Sequence, residues 1–231
     1  MCISDFFLVD DVNSVKGWDW DHALQTTPGR WTEVAEELFP FVNLLAKGKL
    51  KTVYDLGCGV GRHTVFLAQQ GFDVTASDVS LSAVRKTREW LANEKTNANV
   101  VELDMLTWPF DSGTFDAIIA YNVVYHAMRN EVEQVLEQAF RVLTLNGVML
   151  VTFKSSLDSD YGEGNRLDRA TYAPVAGVEK GIPHYYVDEE EIRRLLQNFE
   201  LIKLIHKQEL PVLEGEGRKR AHWVAWVKKT F

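Results

Sequence analysis

Apolar and polar positions along this chain form short blocks with two different periods. Nearly continuous apolar segments predict buried strands, and they lie at residues 52–56, 73–77, 99–103, 115–121 and 147–153. Apolar positions spaced three and four residues apart predict helices between the strands, at residues 60–70, about 80–94 and 132–143. Ser80 is the expected N-cap of the second of these helices. Because the strands are too hydrophobic for one face to lie in water, they favour a parallel sheet with helices on both faces.

The pattern changes on either side of this central part. An apolar stripe from Trp31 to Leu45 predicts a helix that Pro40 kinks or divides in two. Residues 154–186 have no sustained period and predict an irregular, functional insertion. Asp188 then has the pattern of a helix N-cap. Two strands, 201–206 and 221–227, follow with a hairpin-like connection, so we expect a seven-stranded, mainly parallel sheet with an antiparallel last strand.

Composition limits the partners and the compartment. A net charge of −8 and a pI of about 5.3 disfavour binding to nucleic acid through its phosphates. The two cysteines, Cys2 and Cys58, do not suggest a disulfide framework, so we expect a reducing, cytoplasmic compartment. No apolar run approaches the ~20 residues of a membrane span, so no membrane partner is expected.

Candidate chemistry concentrates in the loop DLGCGVGRH at residues 55–63, with glycine at 57, 59 and 61. The loop lacks the Gly-Lys-Ser/Thr ending of a nucleoside-triphosphate P-loop. It also departs from the G-x-G-x-x-G of dinucleotide folds, because its third glycine comes one residue early and Arg62 stands in its place. An NAD-dependent oxidoreductase is therefore kept only as an alternative.

The run from Asp55 to Gly61 resembles the first motif, D/E-x-G-x-G-x-G, of the class I S-adenosylmethionine-dependent methyltransferases. Similar features follow in the order FDVTASD, VVELDM, FDAIIAYNVVYH and RVLTLNGVMLVT, so that the resemblance covers roughly residues 50–155. It is greatest to small-molecule branches, including the tellurite-resistance type and poorly characterised bacterial and archaeal members. The resemblance implies one Rossmann-like α/β domain over residues 1–231, with a helical cap (1–48), a cofactor-binding core (49–153), a substrate-side insertion (154–186) and a C-terminal helix with strands (187–231).

The same resemblance implies S-adenosyl-L-methionine as cofactor and S-adenosyl-L-homocysteine as product. Asp78 would bind the ribose and Asp104 the adenine, while Asp55 would contact the ammonium group directly or through water. The cofactor-binding residues predicted in this way are Asp55, Gly57, Cys58, Gly59, Gly61, Arg62, Asp78, Val79, Asp104, Met105, Tyr121 and Asn122. The alternative for each acid is a loop-capping role, and for Arg62 a cap on loop carbonyls.

The methyl acceptor is less well defined. The segment after the fourth strand, AYNV, lacks the prolines that DNA amino-methyltransferases carry there, so we expect a small-molecule acceptor and no nucleic acid. Tyr125 and His126 are the candidate catalytic residues, with His126 as a base or substrate contact, and a structural role is the alternative. Candidate substrate residues are Trp18, Trp20, Arg166, Arg169, His184, Tyr185 and Tyr186. Trp18, Trp20 and Trp31 form either an aromatic lid or an anchor for the N-terminal segment.

Six histidines are dispersed without an HxxxH pair or a cysteine cluster, so no metal site is expected. The functional hypothesis is in-line methyl transfer to a small molecule. The alternative from another class is a non-catalytic S-adenosylmethionine-binding sensor or partner subunit. The sequence leaves the choice between a monomer and a homodimer open.

Overall fold

The computed structural model describes residues 20–26, 31–209 and 219–231. Within these ranges the helices are α1 (Trp20–Thr26), α2 (Leu38–Gly48), α3 (Arg62–Gln69), α4 (Leu81–Asn93), α5 (Arg129–Val142) and α6 (Glu189–Leu195). The strands are β1 (Thr52–Leu56), β2 (Asp73–Asp78), β3 (Asn99–Glu102), β4 (Phe115–Ala120), β5 (Leu143–Ser155), β6 (Asn165–Arg166), β7 (Thr171–Ala173), β8 (His184–Val187), β9 (Glu200–Glu209) and β10 (Arg220–Lys228). None of the described helices has the length and apolar character needed to cross a lipid bilayer.

Seven of these strands form the main sheet, in the order β3-β2-β1-β4-β5-β10-β9. The first five pair with one another in parallel. The last strand, β10, runs antiparallel to both β5 and β9. The predicted mainly parallel sheet with an antiparallel last strand is therefore confirmed, but the whole sheet has ten strands and not seven, because β8, β7 and β6 extend it from β5.

Alternate residues of the central strands contribute to two apolar cores, one on each face of the sheet. On β4, Ile118 packs in the cluster that contains the apolar face of α5, whereas Ile119 packs in the cluster that contains α2. On β1, Tyr54 and Val53 divide between the same two clusters. Because helices cover both faces, both sets of alternating positions are apolar, which explains the nearly continuous apolar runs.

The helix α2 begins only at Leu38. The non-helical residues 33–37 separate α2 from the helical residues 31 and 32. The prediction of two pieces agrees with this break, but the position of the break was wrong. Pro40 lies in the first turn of α2, where the missing backbone N–H has no intrahelical partner to lose. Proline is therefore compatible with this helix.

The segment 154–186 is more regular than its sequence indicated. β6 and β7 pair antiparallel, β7 and β8 pair antiparallel, and β8 adds in parallel to the end of β5. Strands of two to four residues are too short to display a period of two, so the sequence pattern could not show them. The backbone N–H of Tyr185 donates to the carbonyl of Tyr125 at 2.8 Å, which joins β8 to the loop after β4.

Both predicted N-caps are confirmed. The Ser80 hydroxyl accepts from the backbone N–H of Ala83 at 3.4 Å, and the Asp188 carboxylate accepts from that of Glu191 at 2.9 Å. Each satisfies one of the N–H groups that the first turn of a helix leaves without a partner.

Candidate functional site

The glycine loop connects β1 to α3 at the carboxyl end of the parallel strands. Gly57 and Gly59 have left-handed backbones with φ of 65° and 56°. A Cβ atom would come within 2.4 Å of Val123 Cγ2 at position 57, and within 2.6 Å of the Trp20 ring at position 59. Both positions therefore require glycine for conformation and for space.

Asp78, the last residue of β2, holds this loop in place. Its two carboxylate oxygens accept from the backbone N–H groups of Gly59 and Ser80, each at 2.9 Å. The side chain is buried, and burial raises the pKa of Asp78 although these hydrogen bonds and the Trp20 indole oppose the rise. Each carboxylate oxygen keeps a lone pair for a further donor, so Asp78 can still accept from a ligand.

A cavity of about 490 Å³ opens beside this loop. The carboxyl ends of four neighbouring parallel strands border it. Leu56 and Asp78 are the last residues of β1 and β2, and Leu103 and Tyr121 directly follow β3 and β4. Ligands of open α/β sheets bind at this edge because the loops that follow the strands converge there. Trp20 and Trp31 border the cavity from the N-terminal side, with ring centres 5.4 Å apart.

Most of the residues predicted to bind the cofactor line this cavity. They are Gly57, Cys58, Gly59, Arg62, Asp78, Val79, Asp104, Met105, Tyr121 and Asn122. In addition, Asp104 Oδ1 accepts from the N–H of Leu106 at 2.8 Å, which fixes the turn after β3. Asn122 has a left-handed backbone with φ of 58°, and its N–H donates to the Thr152 hydroxyl at 2.7 Å.

Asp55 and Gly61 lie outside the cavity lining. The Asp55 carboxylate is buried and accepts from the Thr64 hydroxyl at 2.6 Å, and burial raises the pKa of this carboxyl to about 7. A Cβ at Gly61 would come within 2.8 Å of Thr87 on α4. These contacts give both residues a structural part in the loop. The contact of Asp55 with an ammonium group, directly or through water, stays a prediction.

Arg62 and His63 begin α3 and connect the site to the N-terminal segment. Arg62 Nη1 donates to the carbonyl of Glu33 at 3.2 Å, so it caps a carbonyl as the sequence suggested, although not one of the glycine loop. His63 is buried and accepts from the N–H of Ala35 at 3.3 Å. Burial, together with the charge of Arg62, holds the pKa of His63 well below its usual range, so the imidazole is neutral.

The far part of the cavity is formed by the loop after β4 and the segment before β8. Tyr125 and His126, the predicted catalytic residues, both line it. Glu179, Ile182 and Pro183 line it as well, and the sequence had singled out none of them. Ile182 and Pro183 belong to the stretch GIPHYY, to which no role was assigned, and nothing in the sequence marked Glu179.

Several predicted substrate residues lie elsewhere. Arg166 and Arg169 are exposed and do not line the cavity. Tyr185 donates to Glu191 Oε1 at 2.5 Å, and Tyr186 packs against Tyr161 and Tyr172 in the small sheet. The structure thus places none of these four residues in the lining of the cavity, and β8 holds both tyrosines in the protein interior. Trp18 lies outside the described residues, whereas Trp20 lines the cavity.

His184 is buried immediately behind the cavity wall. Its Nε2 lies 3.7 Å from Glu179 Oε2, and His126 Nε2 lies 3.8 Å from Glu179 Oε1. Burial and the neighbouring His126 lower the pKa of His184 to about 3. Burial alone would raise the pKa of Glu179, but the interactions with the two histidines lower it to about 2.

These residues fit S-adenosylmethionine. The glycine loop offers backbone without side chains to the cavity, and carboxylates at the ends of β2 and β3 offer acceptors for ribose hydroxyls and an adenine amino group. The loop lacks the lysine and the third-glycine spacing that phosphate-containing ligands need. The fold and the site thus define a Rossmann-like α/β protein with a site for an adenosine-containing, phosphate-free cofactor.

Comparisons with known proteins agree with this class. A sequence family described as a methyltransferase domain matches residues 53–147. The putative methyltransferase YqeM of Bacillus subtilis is 27% identical over 140 residues, which are 59% of this chain and 53% of that protein. This chain spans only 53% to 61% of the length of the curated relatives that match it first.

Solved structures share the fold. An S-adenosylmethionine-dependent methyltransferase from Methanosarcina mazei has a TM-score of 0.70 at 17% identity, over 85% of this chain and 98% of that chain. The 1,6-didemethyltoxoflavin-N1-methyltransferase of Burkholderia thailandensis, solved with 1,6-didemethyltoxoflavin and S-adenosylhomocysteine bound, has a TM-score of 0.65 at 17% identity, over 92% and 86%. Residues 53–147 thus match a methyltransferase-domain family, and the fold of this chain is that of solved S-adenosylmethionine-dependent methyltransferases.

Proposed function

We propose that this protein is an S-adenosylmethionine-dependent methyltransferase that acts on a small-molecule acceptor. The observation that carries the proposal is the single cavity shared by two groups of residues. Gly57, Gly59 and Asp78 line one part of it, and Tyr125 and His126 line another. A cofactor and an acceptor held in one cavity can reach the alignment that group transfer requires.

In this proposal each part of the cofactor is held by residues at the strand ends. Asp78 accepts from the ribose hydroxyls, and Asp104 with the Met105 backbone contacts the adenine. The main chain of Gly57 and Gly59 lies beside the amino-acid part. The bound cofactor supplies a methyl group activated by a positively charged sulfur. Asp55 acts indirectly, by holding Thr64 at the start of α3.

The size of the cavity supports a small acceptor. Ligand pockets usually measure roughly 300 to 1,000 Å³, and the 490 Å³ of this one has to accommodate cofactor and acceptor together. The net charge of −8 also disfavours nucleic acid as acceptor. In the related Burkholderia thailandensis structure, the molecule bound with S-adenosylhomocysteine is the small compound 1,6-didemethyltoxoflavin.

Catalysis rests mainly on position. Methyl transfer is a displacement at carbon, so the protein has to hold the acceptor atom in line with the bond that breaks. Tyr125 and His126 line the same cavity as Asp78, and we assign them to contact with the acceptor. A proton acceptor is needed only for an acceptor that is poorly nucleophilic when protonated.

A transfer assay tests the proposal. Protein is incubated with S-adenosylmethionine labelled in the methyl group and with a panel of thiols, amines, phenols and oxyanions. We expect label in at least one small acceptor, release of S-adenosylhomocysteine, and loss of both with Asp78→Ala. Cofactor binding without transfer to any acceptor of the panel would instead favour a non-catalytic binding protein. A cytoplasmic location and the oligomeric state stay predictions from the sequence.

A further inference from the structure

Three potential metal ligands meet at the far wall of the cavity. They are His126 in the loop after β4, Glu179 in the segment before β8, and His184 at the start of β8. One ligand atom from each residue lies within 4.8 Å of the other two. His126 is far in the chain from the other two residues, and a turn separates Glu179 from His184, so no sequence motif connects the three.

The distances suit an ion better than direct hydrogen bonds. His184 Nε2 lies 3.7 Å from Glu179 Oε2, beyond the range of about 2.7–3.2 Å for a nitrogen–oxygen hydrogen bond, and His126 Nε2 lies 3.8 Å from the other oxygen of the same carboxylate. Zn²⁺ binds nitrogen and oxygen ligands at about 2.0–2.2 Å in a tetrahedron, which separates neighbouring ligand atoms by roughly 3.3 Å. Shifts of about half an ångström would bring each histidine–glutamate pair to this separation, and all three ligand atoms already lie within 4.8 Å of one another.

His184 supplies an independent observation. Its side chain is buried, and neither of its ring nitrogens has a hydrogen-bond partner among the described residues. Buried polar groups in proteins are nearly always hydrogen-bonded or bound to an ion, so a ring of this kind calls for a ligand. Since its Nε2 points toward Glu179 at 3.7 Å, the ligand would lie between these two residues.

The cluster has the donor groups that a metal ion needs. One carboxylate and two imidazole rings meet there, and Zn²⁺ binds carboxylate oxygen and imidazole nitrogen. The nearby cation Lys154 lies 3.2 Å from Asp160 and 3.9 Å from Asp158, and these carboxylates offset its charge.

We propose that His126, Glu179 and His184 bind a divalent transition-metal ion such as Zn²⁺, with an open coordination position toward the cavity. Two histidines and one glutamate, with a fourth position left open, are a ligand set of catalytic zinc sites. The open coordination position faces the cavity because His126 and Glu179 line the cavity, whereas His184 lies behind these two residues.

The role of the ion follows from its place and rests on the proposed function. An acceptor oxygen, nitrogen or sulfur in the open position would lose its proton to solvent more readily, because the ion lowers its pKa. The bond that forms then joins this atom to the methyl carbon, and the bond that breaks joins that carbon to the cofactor sulfur. Thus the ion replaces a general base and orients the acceptor.

Titration of the untagged full chain with Zn²⁺ alone, after treatment with a chelator and its removal, tests the metal site. We expect one equivalent to bind, by calorimetry and by metal content after gel filtration, and Co²⁺ to give the visible spectrum of a four-coordinate site. His184→Ala and Glu179→Gln should each weaken Zn²⁺ binding at least tenfold. Substitution of a residue that only supports a metal ligand already lowers metal affinity by about 10- to 100-fold, so loss of a ligand should have at least this effect. His206→Gln, on β9 and outside the cluster, should leave it unchanged.

Because loss of a buried histidine can unfold the protein, the unfolding temperature of each variant is measured alongside. Glu179→Gln keeps the size of the side chain and carries the test if His184→Ala does not fold. Less than one equivalent bound by the unaltered chain, or equal affinity in that chain and Glu179→Gln, would overturn the metal site. Binding of S-adenosylhomocysteine to the same samples keeps the two proposals apart, since its absence would contradict the proposed function and not the metal site.

Discussion

At the scale of single residues, the site depends on positions where the surroundings admit one kind of side chain. Gly57 has a left-handed backbone, and the Val123 side chain occupies the space that a Cβ atom would need. Asp55 is enclosed beside the Thr64 hydroxyl and is largely protonated over much of the acidic range, because burial raises the pKa of its carboxyl. Each of these features makes a separate, measurable prediction.

Gly57→Ala should lower both the stability and the cofactor affinity of the protein. The left-handed backbone costs a residue with a Cβ roughly 1–2 kcal/mol, and the overlap with Val123 adds about 1–3 kcal/mol. Gly113→Ala is the matched control, because Gly113 has a similar φ of 69° and nothing within 4 Å of its Cβ position. Urea unfolding of both variants should show the larger loss at position 57, partly restored by adding Val123→Ala. Equal losses at the two positions would contradict the close contact.

Asp55→Asn should change how stability depends on pH. The pKa of Asp55 is raised from 3.8 to about 7 by burial, so the folded state holds a proton that the unfolded state releases at lower pH. The stabilisation by this proton is complete below pH of about 4 and is lost as the pH rises to about 7. The unfolding free energy of the unaltered chain, relative to Asp55→Asn, should therefore fall over this range by at most about 4 kcal/mol. A constant difference from pH 4 to 8 would refute the buried, protonated carboxyl.

At the scale of elements, the site is assembled where the loops after β1, β2, β3 and β4 meet the extension formed by β6, β7 and β8. The carboxyl ends of parallel strands converge at one edge of the sheet, so residues that follow four different strands border one cavity. Helix α6 follows β8 directly and connects this extension to the core. Its N-cap, Asp188, directly follows β8, and Ile192 and Leu196 pack into the core that contains α5.

Asp188→Ala should destabilise the protein by about 1 kcal/mol, since the N–H of Glu191 loses the acceptor that Asp188 provides at 2.9 Å. Glu190→Ala is the control, because this exposed residue lies in the same first turn but does not cap the helix. Its loss removes only a favourable interaction with the helix dipole, about 0.3–1 kcal/mol. Unfolding by urea should rank the two variants in this order, and a greater loss with Glu190→Ala would argue against the cap.

The sequence predicted elements well wherever the hydrophobic period was long enough to read. The central strands, α4 and α5 and both caps agree with the pattern because each is a continuous local signal. The start of α2 and the strands β6 to β8 do not, since a break at residues 33–37 and strands of two to four residues leave no period. Cofactor residues were found for the same reason: they lie in or directly after strands that the pattern marked.

At the scale of the whole molecule, the acceptor side of the cavity could not be predicted because its parts come together only in the folded chain. Glu179 and His184 reach His126 through the pairing of β8 with β5 and the bond between Tyr185 and Tyr125. Arg166 and Arg169, which looked suitable by their charge, are instead exposed on the outer part of the small sheet. Thus the cofactor could be identified from the sequence, whereas His126 and His184 could be named only one by one, without their common neighbour Glu179.

The central claim, that Asp78 and the glycine loop form a site for S-adenosylmethionine, is tested most directly by calorimetric binding of S-adenosylhomocysteine. We expect one equivalent to bind the unaltered chain, Asp78→Ala to weaken binding by about 1–3 kcal/mol through unpaired ribose hydroxyls, and NADH not to bind. Asp73→Ala, at the exposed opposite end of the same strand, should bind like the unaltered chain. Unchanged affinity in Asp78→Ala, or binding of NADH in place of S-adenosylhomocysteine, would contradict this account.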